Sequence, residues 1–292
     1  MSRADWFTVA KRTFKSFLAD DCMGLSQQVA YSSLLAFFPA VVALVGLLDL
    51  IHAYDALQRF LDPVAPKAVT DLIQTFQQDS RGGGSVIAFV IGIFGAVWAA
   101  SGAMGSIVKA VNRAYERTET RPFWKVRLIA ILLVVANGAA TGGMLILVVL
   151  GGTLGDAIAT RAQFGGVFTW LWNIARWPIA FVAVLLFFGL VYYLAPNVDH
   201  PRWRWITPGA VVGGVTWIAL SGLFALYTAF SDSYSKTYGA LAGGVVLLLW
   251  LNYTAWAILF GAELNSELER QAEIDAAGGE HAGLTRPARR RR

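Results

Sequence analysis

The residue types that most often carry enzymatic chemistry are sparse in this sequence. It has three histidines and a single cysteine, Cys22. His52, His200 and His281 fall on separate segments, and no HxE, HExxH or CxxC spacing of a metal site is present. GxSxG and P-loop patterns are missing as well. The sequence therefore predicts no catalytic residues, no metal site and no cofactor, and it argues against an enzyme.

Four polar residues lie within or beside long apolar runs and are candidates for a substrate path: Gln28, Asn137, Asn252 and Glu263. A polar group at membrane depth needs a partner, a water-filled path or a function. Glu263 is the only acid directly at the end of such a run with amide neighbours, so it is the candidate for a proton or cation role. The simpler explanation for each residue is an interhelical hydrogen bond, which contributes about 0.6 kcal/mol on average.

The composition indicates which elements position these residues. Of 292 residues, 56% are hydrophobic and 15% are charged, and the mean hydropathy is +0.54. An ordinary soluble domain carries about 25% charged residues. Six runs without Asp, Glu, Lys or Arg are long enough for helices that cross a bilayer: 29–48, 86–108, 128–150, 177–198, 206–231 and 237–262. Because these runs do not alternate as barrel strands do, the sequence predicts an all-α integral membrane protein with a six-helix bundle.

The chain divides into three predicted parts. Residues 1–28 form a basic amphipathic segment, residues 29–262 the transmembrane domain, and residues 263–292 a helical extension with an Arg-rich, disordered tail. Residues 53–79 are predicted to form two short amphipathic helices on the opposite face of the membrane. Three roles are open for these helices: they cover the bundle, they form a lid over a substrate path, or they bind a partner protein.

Lys and Arg are distributed unequally between the two sides that the six spans define. Eighteen lie on the side of both termini and six on the other side. The positive-inside rule then places both termini in the cytoplasm. Eight of these residues are predicted to hold the chain on the membrane surface or to set its orientation: Lys11, Arg12, Lys15, Arg113, Arg117, Arg121, Lys125 and Arg127. Their predicted partners are anionic lipid headgroups; no specific nucleic-acid site is predicted, and nothing in the sequence supports an oligomer.

Three stretches carry a family resemblance: "QQVAYSSLLAFFPAVVAL" (27–44), "SGAMGSIVKAVNRAYERTETRPFWKVR" (101–127) and "YGALAGGVVLLLWLNYTAWAILFGAELNSELER" (238–270). In this order they resemble the YihY/virulence factor BrkB family, over nearly the whole chain. The resemblance implies a multi-pass protein of the bacterial inner membrane without a settled biochemical activity. Some members carry the label "ribonuclease BN", which is regarded as a misassignment. Asn252 departs from the family's pattern, in which an aromatic or aliphatic residue is expected.

These features favour a transporter or exporter of a small solute or lipid. Support comes from the six spans, from the amides at midspan and from a first helix interrupted at Pro39. The alternative is a non-catalytic structural or assembly partner of the cell envelope. A membrane-bound enzyme, ribonuclease included, is the least favoured class.

The predicted topology is testable by thiol labelling in intact cells. With Cys22 replaced by serine, Ser80→Cys is expected to react with an impermeant thiol reagent and Ser266→Cys is not, because the charge distribution puts residue 266 inside. Reaction at position 266 without reaction at position 80 would show that the topology is inverted.

Overall fold

The computed structural model describes residues 3–50, 85–145, 147, 161, 166–198, 206–229 and 240–276. Within these ranges the chain forms seven long helices and no strand. The helices are α1 (Arg3–Ala19), α2 (Cys22–Leu50), α3 (Ser85–Ala114), α4 (Phe123–Leu145), α5 (Gly166–Leu194), α6 (Pro208–Ala229) and α7 (Ala240–Ala276). The prediction of an all-α chain is confirmed.

Five of the helices, α3 to α7, are long and apolar enough to cross a membrane. Their outer surfaces are apolar as well: Ile91, Phe94 and Trp98 on α3 and Leu223 on α6 are all exposed. A helix that is apolar on every side suits lipid rather than water. The fold is therefore that of an all-α membrane protein. The first predicted span, 29–48, falls on α2 and stays a prediction, and the amphipathic helices predicted within 53–79 lie outside the described residues.

Helix α2 is continuous from Cys22 to Leu50 and contains Pro39 in its interior. The interruption predicted at Pro39 is therefore not observed, although the proline still lacks an N–H for the helix ladder. A Cβ placed on Gly95 of α3 would lie 3.8 Å from the Pro39 side chain. Nearer the start of α2, the hydroxyls of Ser32 and Ser106 form a hydrogen bond of 3.1 Å. Helix α3 thus supports α2 along its length.

The six helices α2 to α7 pack as a closed ring. Each contacts the next one along the chain, and α7 contacts α2, while α1 lies against α7 and α2. One end of the ring, here named the α1 end, holds α1, the connector 115–122 and residues 195–198, which are joined by the hydrogen bonds described below. Buried apolar side chains lie toward this end, among them Phe17, Val111, Leu133, Val191 and Leu259.

Helices α6 and α7 approach each other at glycines near the α1 end. A Cβ on Gly209 would collide with the carbonyl oxygen of Gly261, and a Cβ on Gly261 would collide with the Tyr192 hydroxyl. Asn265 of α7 accepts a hydrogen bond of 2.8 Å from the Gly209 N–H, which is one of the unpaired donors at the start of α6. Thr207 completes the cap by accepting the Ala210 N–H at 3.0 Å. The two backbones are in direct contact here.

The crossing predicts that Gly261→Ala destabilises the protein by about 1–3 kcal/mol, the usual cost of forcing a methyl into a filled space. The measurement is the thermal unfolding midpoint of the purified protein in detergent. Gly222→Ala is the control, because a Cβ there meets open space; it should be neutral or stabilise by up to about 1 kcal/mol. Equal midpoints for the two variants would contradict the close contact.

Candidate functional site

The α1 end gathers polar and charged side chains from the turn between α1 and α2, from α3, from the connector and from α7. Asp20 and Asp21 form the turn between α1 and α2, and Arg113 near the end of α3 lies 3.7 Å from Asp20. On the other side of the turn, Ser16 and Cys22 contact carboxylates of α7. Two neighbouring features result: a buried group of acids and an open charged cleft.

The buried group, here named the carboxyl cluster, consists of Asp20, Glu263 and Glu267. Glu263 is only 1% exposed, and its Oε1 accepts a hydrogen bond of 3.4 Å from the Cys22 thiol. The charges of Asp20 and Glu267, and that of Glu116 at the end of α3, act on it. Among the described residues no Lys or Arg forms an ion pair with Glu263. An ionised carboxylate is costly to bury in such surroundings without a proton or a cation.

The second acid of α7 has more partners. Glu267 Oε1 accepts a hydrogen bond of 2.9 Å from the Ser16 hydroxyl and lies 3.7 Å from Arg270 Nη1. Its Oε2 is buried without a hydrogen bond in the part of the chain that the structure describes. Both acids continue the ridge of Ala255 and Leu259 at four-residue spacing, so they share the face of α7 that is buried against its neighbours.

The second feature, here named the charged cleft, opens beside the carboxyl cluster. Its volume is about 590 Å³. Eleven residues line it: Asp20, Asp21, Leu25, Gly105, Val108, Lys109, Asn112, Arg113, Arg117, Glu119 and Val126. The lining therefore holds three acids and three cations, with apolar side chains from α2, α3 and α4. Asp20 belongs to both features, since it lines the cleft and acts on Glu263.

Arg121 joins the connector to the end of α5. Its guanidinium donates hydrogen bonds to the carbonyls of Leu194 at 3.2 Å and Ala195 at 2.8 Å, which the helix itself leaves unpaired. The same guanidinium binds Glu119 through Nε at 2.8 Å and Nη2 at 2.7 Å. Only 16% of the Arg121 side chain is exposed. Arg121 thus holds the connector and α5 together, a role that its positive charge alone does not indicate.

Two asparagines extend this network. Asn112 donates to Glu119 at 2.8 Å and accepts the backbone N–H of Asn197 at 2.7 Å. The Asn197 amide in turn donates to the Thr118 carbonyl and the Thr120 hydroxyl, both at 2.8 Å. The connector is therefore fixed by hydrogen bonds to α3 on one side and to the segment after α5 on the other.

Glu119 is held in its ionised form by this network. The hydrogen bond from Arg121 is the main cause that lowers the pKa of Glu119 below its ordinary value of 4.5, and Asn112 adds to it. Because the folded-state pKa is depressed, its contribution to stability is complete above that ordinary value. The contribution is lost as the pH falls below it, through the pKa of the folded state.

The structure does not assemble the four predicted path residues into one site. Gln28 and Asn137 are exposed, Asn252 is half-buried and Glu263 is buried. No hydrogen bond joins Asn137 to any of the other three within the described residues, and α4, which carries it, packs mainly on α3 and α5. None of the four lines the charged cleft. Glu263 is the one that belongs to a group of interacting charges.

The eight predicted basic residues fall into three groups. Lys11 and Lys15 are exposed on α1, whereas Arg12 donates a hydrogen bond of 3.1 Å to Gln271. Arg113 and Arg117 line the charged cleft, and Arg121 caps α5. The remaining two contact tryptophans: Lys125 lies 5.5 Å from the ring centre of Trp124, and Arg127 lies 4.1 Å from that of Trp98 and donates to its carbonyl at 2.8 Å.

Several residues of the site were not singled out from the sequence: Asp20, Asp21, Lys109, Asn112, Glu119 and Asn197. Each lies in the last two turns of a helix or in the segment that follows it, where polar residues are ordinary. One signal was available for Asn112 and Glu119, which are an amide and one of two acids in the otherwise basic stretch 109–127. The proximity of Asp20 to Glu263 depends on packing between helices that are distant in sequence, and no local pattern indicates it.

The Arg121 network predicts that Arg121→Ala lowers the free energy of unfolding by about 2 kcal/mol, because hydrogen bonds to a charged group are lost and two carbonyls stay unpaired. Arg121→Lys should recover little, since an ammonium cannot make the paired contacts of a guanidinium. Thermal unfolding in detergent measures both. Lys125→Ala, an exposed cation of the same segment, should change stability by less than about 0.5 kcal/mol; a similar small change for Arg121→Ala would contradict the structural role.

Comparisons with known proteins agree with a membrane fold. A family model described as Virulence factor BrkB matches residues 13–283. The ribonuclease-like protein YfkH of Bacillus subtilis is 30% identical over 267 residues, which cover 90% of this chain and 96% of that protein. A UPF0761 membrane protein of Alteromonas mediterranea is 29% identical, covering 87% of this chain and 84% of the relative. A UPF0761 membrane protein of Rhodospirillum centenum is 25% identical over 93% of this chain and 60% of its own length.

No solved structure matches the chain. The matched family range includes all of α2 to α7, and with them the carboxyl cluster and the charged cleft. The chain therefore belongs to the virulence factor BrkB family of membrane proteins, the family that its three sequence stretches resemble.

Proposed function

We propose that the protein moves a small solute or lipid across the bacterial inner membrane, and that Glu263 takes up and releases a proton during the cycle. In the proposed topology both termini, and with them the α1 end, face the cytoplasm. The distribution of 18 Lys and Arg on one side and six on the other supports this orientation. The exposed cations of α1, Lys11 and Lys15, then face anionic headgroups of the inner leaflet.

The burial of Glu263 is the observation that carries the proposal. The Glu263 carboxyl is only 1% exposed, so it does not act as a solvated residue at the end of a membrane span. The Cys22 thiol donates a hydrogen bond to it but does not neutralise its charge as a cation would. Ionisable residues in membrane helices are rare, and they mark ion pathways and proton relays. The neighbouring charges of Asp20, Glu116 and Glu267 make the energy of an ionised Glu263 depend on the arrangement of α1, α2, α3 and α7.

The charged cleft offers a way to couple this proton to a substrate. Asp20 lines the cleft and also acts on Glu263. A charged ligand in the cleft that changes the electrostatic potential at Asp20 therefore also changes the free energy of ionising Glu263. Linkage requires the reverse as well, so a proton on Glu263 alters the affinity of the cleft for that ligand.

Two buried polar atoms that lack a hydrogen-bond partner in the described residues support a polar path along α7. Asn252 Oδ1 and Trp256 Nε1 are buried and make no hydrogen bond within the described residues. They are an acceptor and a donor one helical turn apart. Buried polar atoms of this kind are costly when they have no partner, and a polar substrate or water passing between the helices would supply one.

No catalytic step forms part of the proposal. The sequence contains no HxE, HExxH, CxxC, GxSxG or P-loop pattern, and its three histidines lie outside the described residues. The name of the Bacillus subtilis relative is therefore not extended to this chain as a ribonuclease activity.

The proposal predicts that the purified protein in proteoliposomes moves a fluorescent phospholipid between leaflets, or a small solute across the bilayer, with proton movement reported by an enclosed pH-sensitive dye. Glu263→Gln should lower this flux at least about tenfold if a proton must bind and leave there. Asn252→Leu should also lower it, while its folded yield stays normal.

Glu273→Gln is the matched control, because the same substitution is made on the same helix at an exposed position. It should transport at the wild-type rate. A wild-type protein that moves no tested lipid or solute, together with full rescue of a deletion phenotype by Glu263→Gln and Asn252→Leu, would contradict transport. That result would favour a structural or assembly partner of the cell envelope instead.

A further inference from the structure

The charges that line the cleft divide into those with protein partners and those without. Glu119 is bound by Arg121 and Asn112, and Arg113 faces Asp20. The other three, Asp21, Lys109 and Arg117, form no side-chain hydrogen bond or ion pair with any described residue. All three are exposed and border the same cavity. Within the part of the chain that the structure describes, the cleft thus presents two cations and one carboxylate that have no side-chain partner.

We propose that the charged cleft is the binding site for a phosphate ester that also carries an amine, the chemistry of a zwitterionic phospholipid headgroup. Lys109 and Arg117 bind the phosphate, and Asp21 binds the ammonium. The inference deepens the proposed function, since it names the substrate class that the transporter takes at the α1 end.

The positions of the two cations suit a phosphate. Lys109 lies on α3 one helical turn before Arg113, and Arg117 follows the end of that helix. The chain turns there through Glu116, which adopts the left-handed conformation with φ of 52°. The Arg117 N–H then bonds back to the Asn112 carbonyl at 2.8 Å, so the position of its backbone is fixed. An anchored arginine can bind phosphate oxygens through paired N–H groups.

The carboxylate of Asp21 distinguishes the proposed ligand from a simple anion such as phosphate. Asp21 stands in the turn before α2, with φ of 55°, and borders the same cavity as the two cations. Free phosphate would pair with the two cations, but its own negative charge would then face the carboxylate of Asp21, which would still lack a cationic partner. A ligand with an amine beyond its phosphate pairs all three groups, which favours it over a purely anionic ligand.

The apolar part of the lining is consistent with a lipid. Leu25, Val108 and Val126 form the uncharged wall, and Val126 lies in the first turn of α4 among the exposed Phe123, Trp124 and Leu128. An acyl chain leaving the cleft on that side would meet apolar surface. The cavity of about 590 Å³ also falls within the range of about 300–1,000 Å³ that ligand sites occupy.

The test is direct binding to the full-length protein in detergent, with three probes: short-chain phosphatidylethanolamine, short-chain phosphatidylglycerol and soluble phosphorylethanolamine. Wild type should bind phosphatidylethanolamine more tightly than phosphatidylglycerol, which has the phosphate but lacks the amine. Lys109→Gln and Arg117→Gln should each weaken binding of both lipids about tenfold, the effect of losing one charge-assisted contact. Arg117→Lys should recover part of the affinity.

Asp21→Asn is the decisive variant. It should weaken only phosphatidylethanolamine and so abolish the preference over phosphatidylglycerol. Asparagine tolerates the left-handed conformation at this position, and an unchanged thermal midpoint checks the fold. Lys125→Gln, which changes an exposed cation that does not line the cleft, should bind both lipids as wild type does.

The soluble probe distinguishes the source of the headgroup. Competition by phosphorylethanolamine at equal concentration indicates a free ester as the ligand, whereas binding of the lipid alone indicates a membrane lipid. Wild-type affinity in the Lys109→Gln, Arg117→Gln double variant, or an unchanged lipid preference in Asp21→Asn, would overturn the proposal. Binding is measured without flux, so a protein that binds the lipid but does not move it contradicts the transport function and leaves this site standing.

Discussion

Every helix that ends at the α1 end leaves backbone groups that need partners, and the way they are satisfied organises this part of the molecule. Arg121 donates N–H groups to the carbonyls of Leu194 and Ala195 at the end of α5, and Asn265 accepts the Gly209 N–H at the start of α6. The end of α3 is closed by the turn through Glu116. Because Arg121 belongs to the connector and Asn265 to α7, the caps of α5 and α6 each join two elements, whereas the end of α3 is closed by its own chain, where the Arg117 N–H bonds to the Asn112 carbonyl. The connector is thereby part of the bundle rather than a loose loop.

The all-α membrane class could be predicted from the sequence because it follows from local composition, whereas the six spans and their orientation stay predictions. Long runs without charged residues indicate the membrane helices, because in lipid a helix satisfies its backbone hydrogen bonds within itself. The effect of Pro39 on the continuity of α2 was overestimated, because a helix that packs against a neighbour tolerates one missing backbone hydrogen bond. Glu263 was noticed because it directly follows a long apolar run, and the structure shows that its side chain is buried.

The candidate site was harder to predict, for the opposite reason. Asp20 and Glu263 are more than 240 positions apart, as are Cys22 and Glu263, which form a hydrogen bond across 241 residues. No periodicity links such positions. The exposed amides Gln28 and Asn137 have the same composition signal as Asn252, yet the helix faces that carry them turn outward. Polarity shows that a residue needs a partner, but only packing determines which residues become partners.

The glycine contact between α6 and α7 has a mechanical consequence. Where two backbones touch without side chains between them, no rotamer change can relieve a shift, and interiors packed in this way switch between discrete arrangements instead of deforming. We therefore expect α6 and α7 to behave as one rigid pair, with Tyr192 of α5 bonded to the Ile258 carbonyl at the same level. A rearrangement of the α1 end that keeps this pair intact would occur on the other flank of α7, at its contacts with α1, α2 and α3. Those contacts hold Glu263, so in the proposed transport cycle the interface that rearranges would also be the one that contains the proton-binding carboxyl.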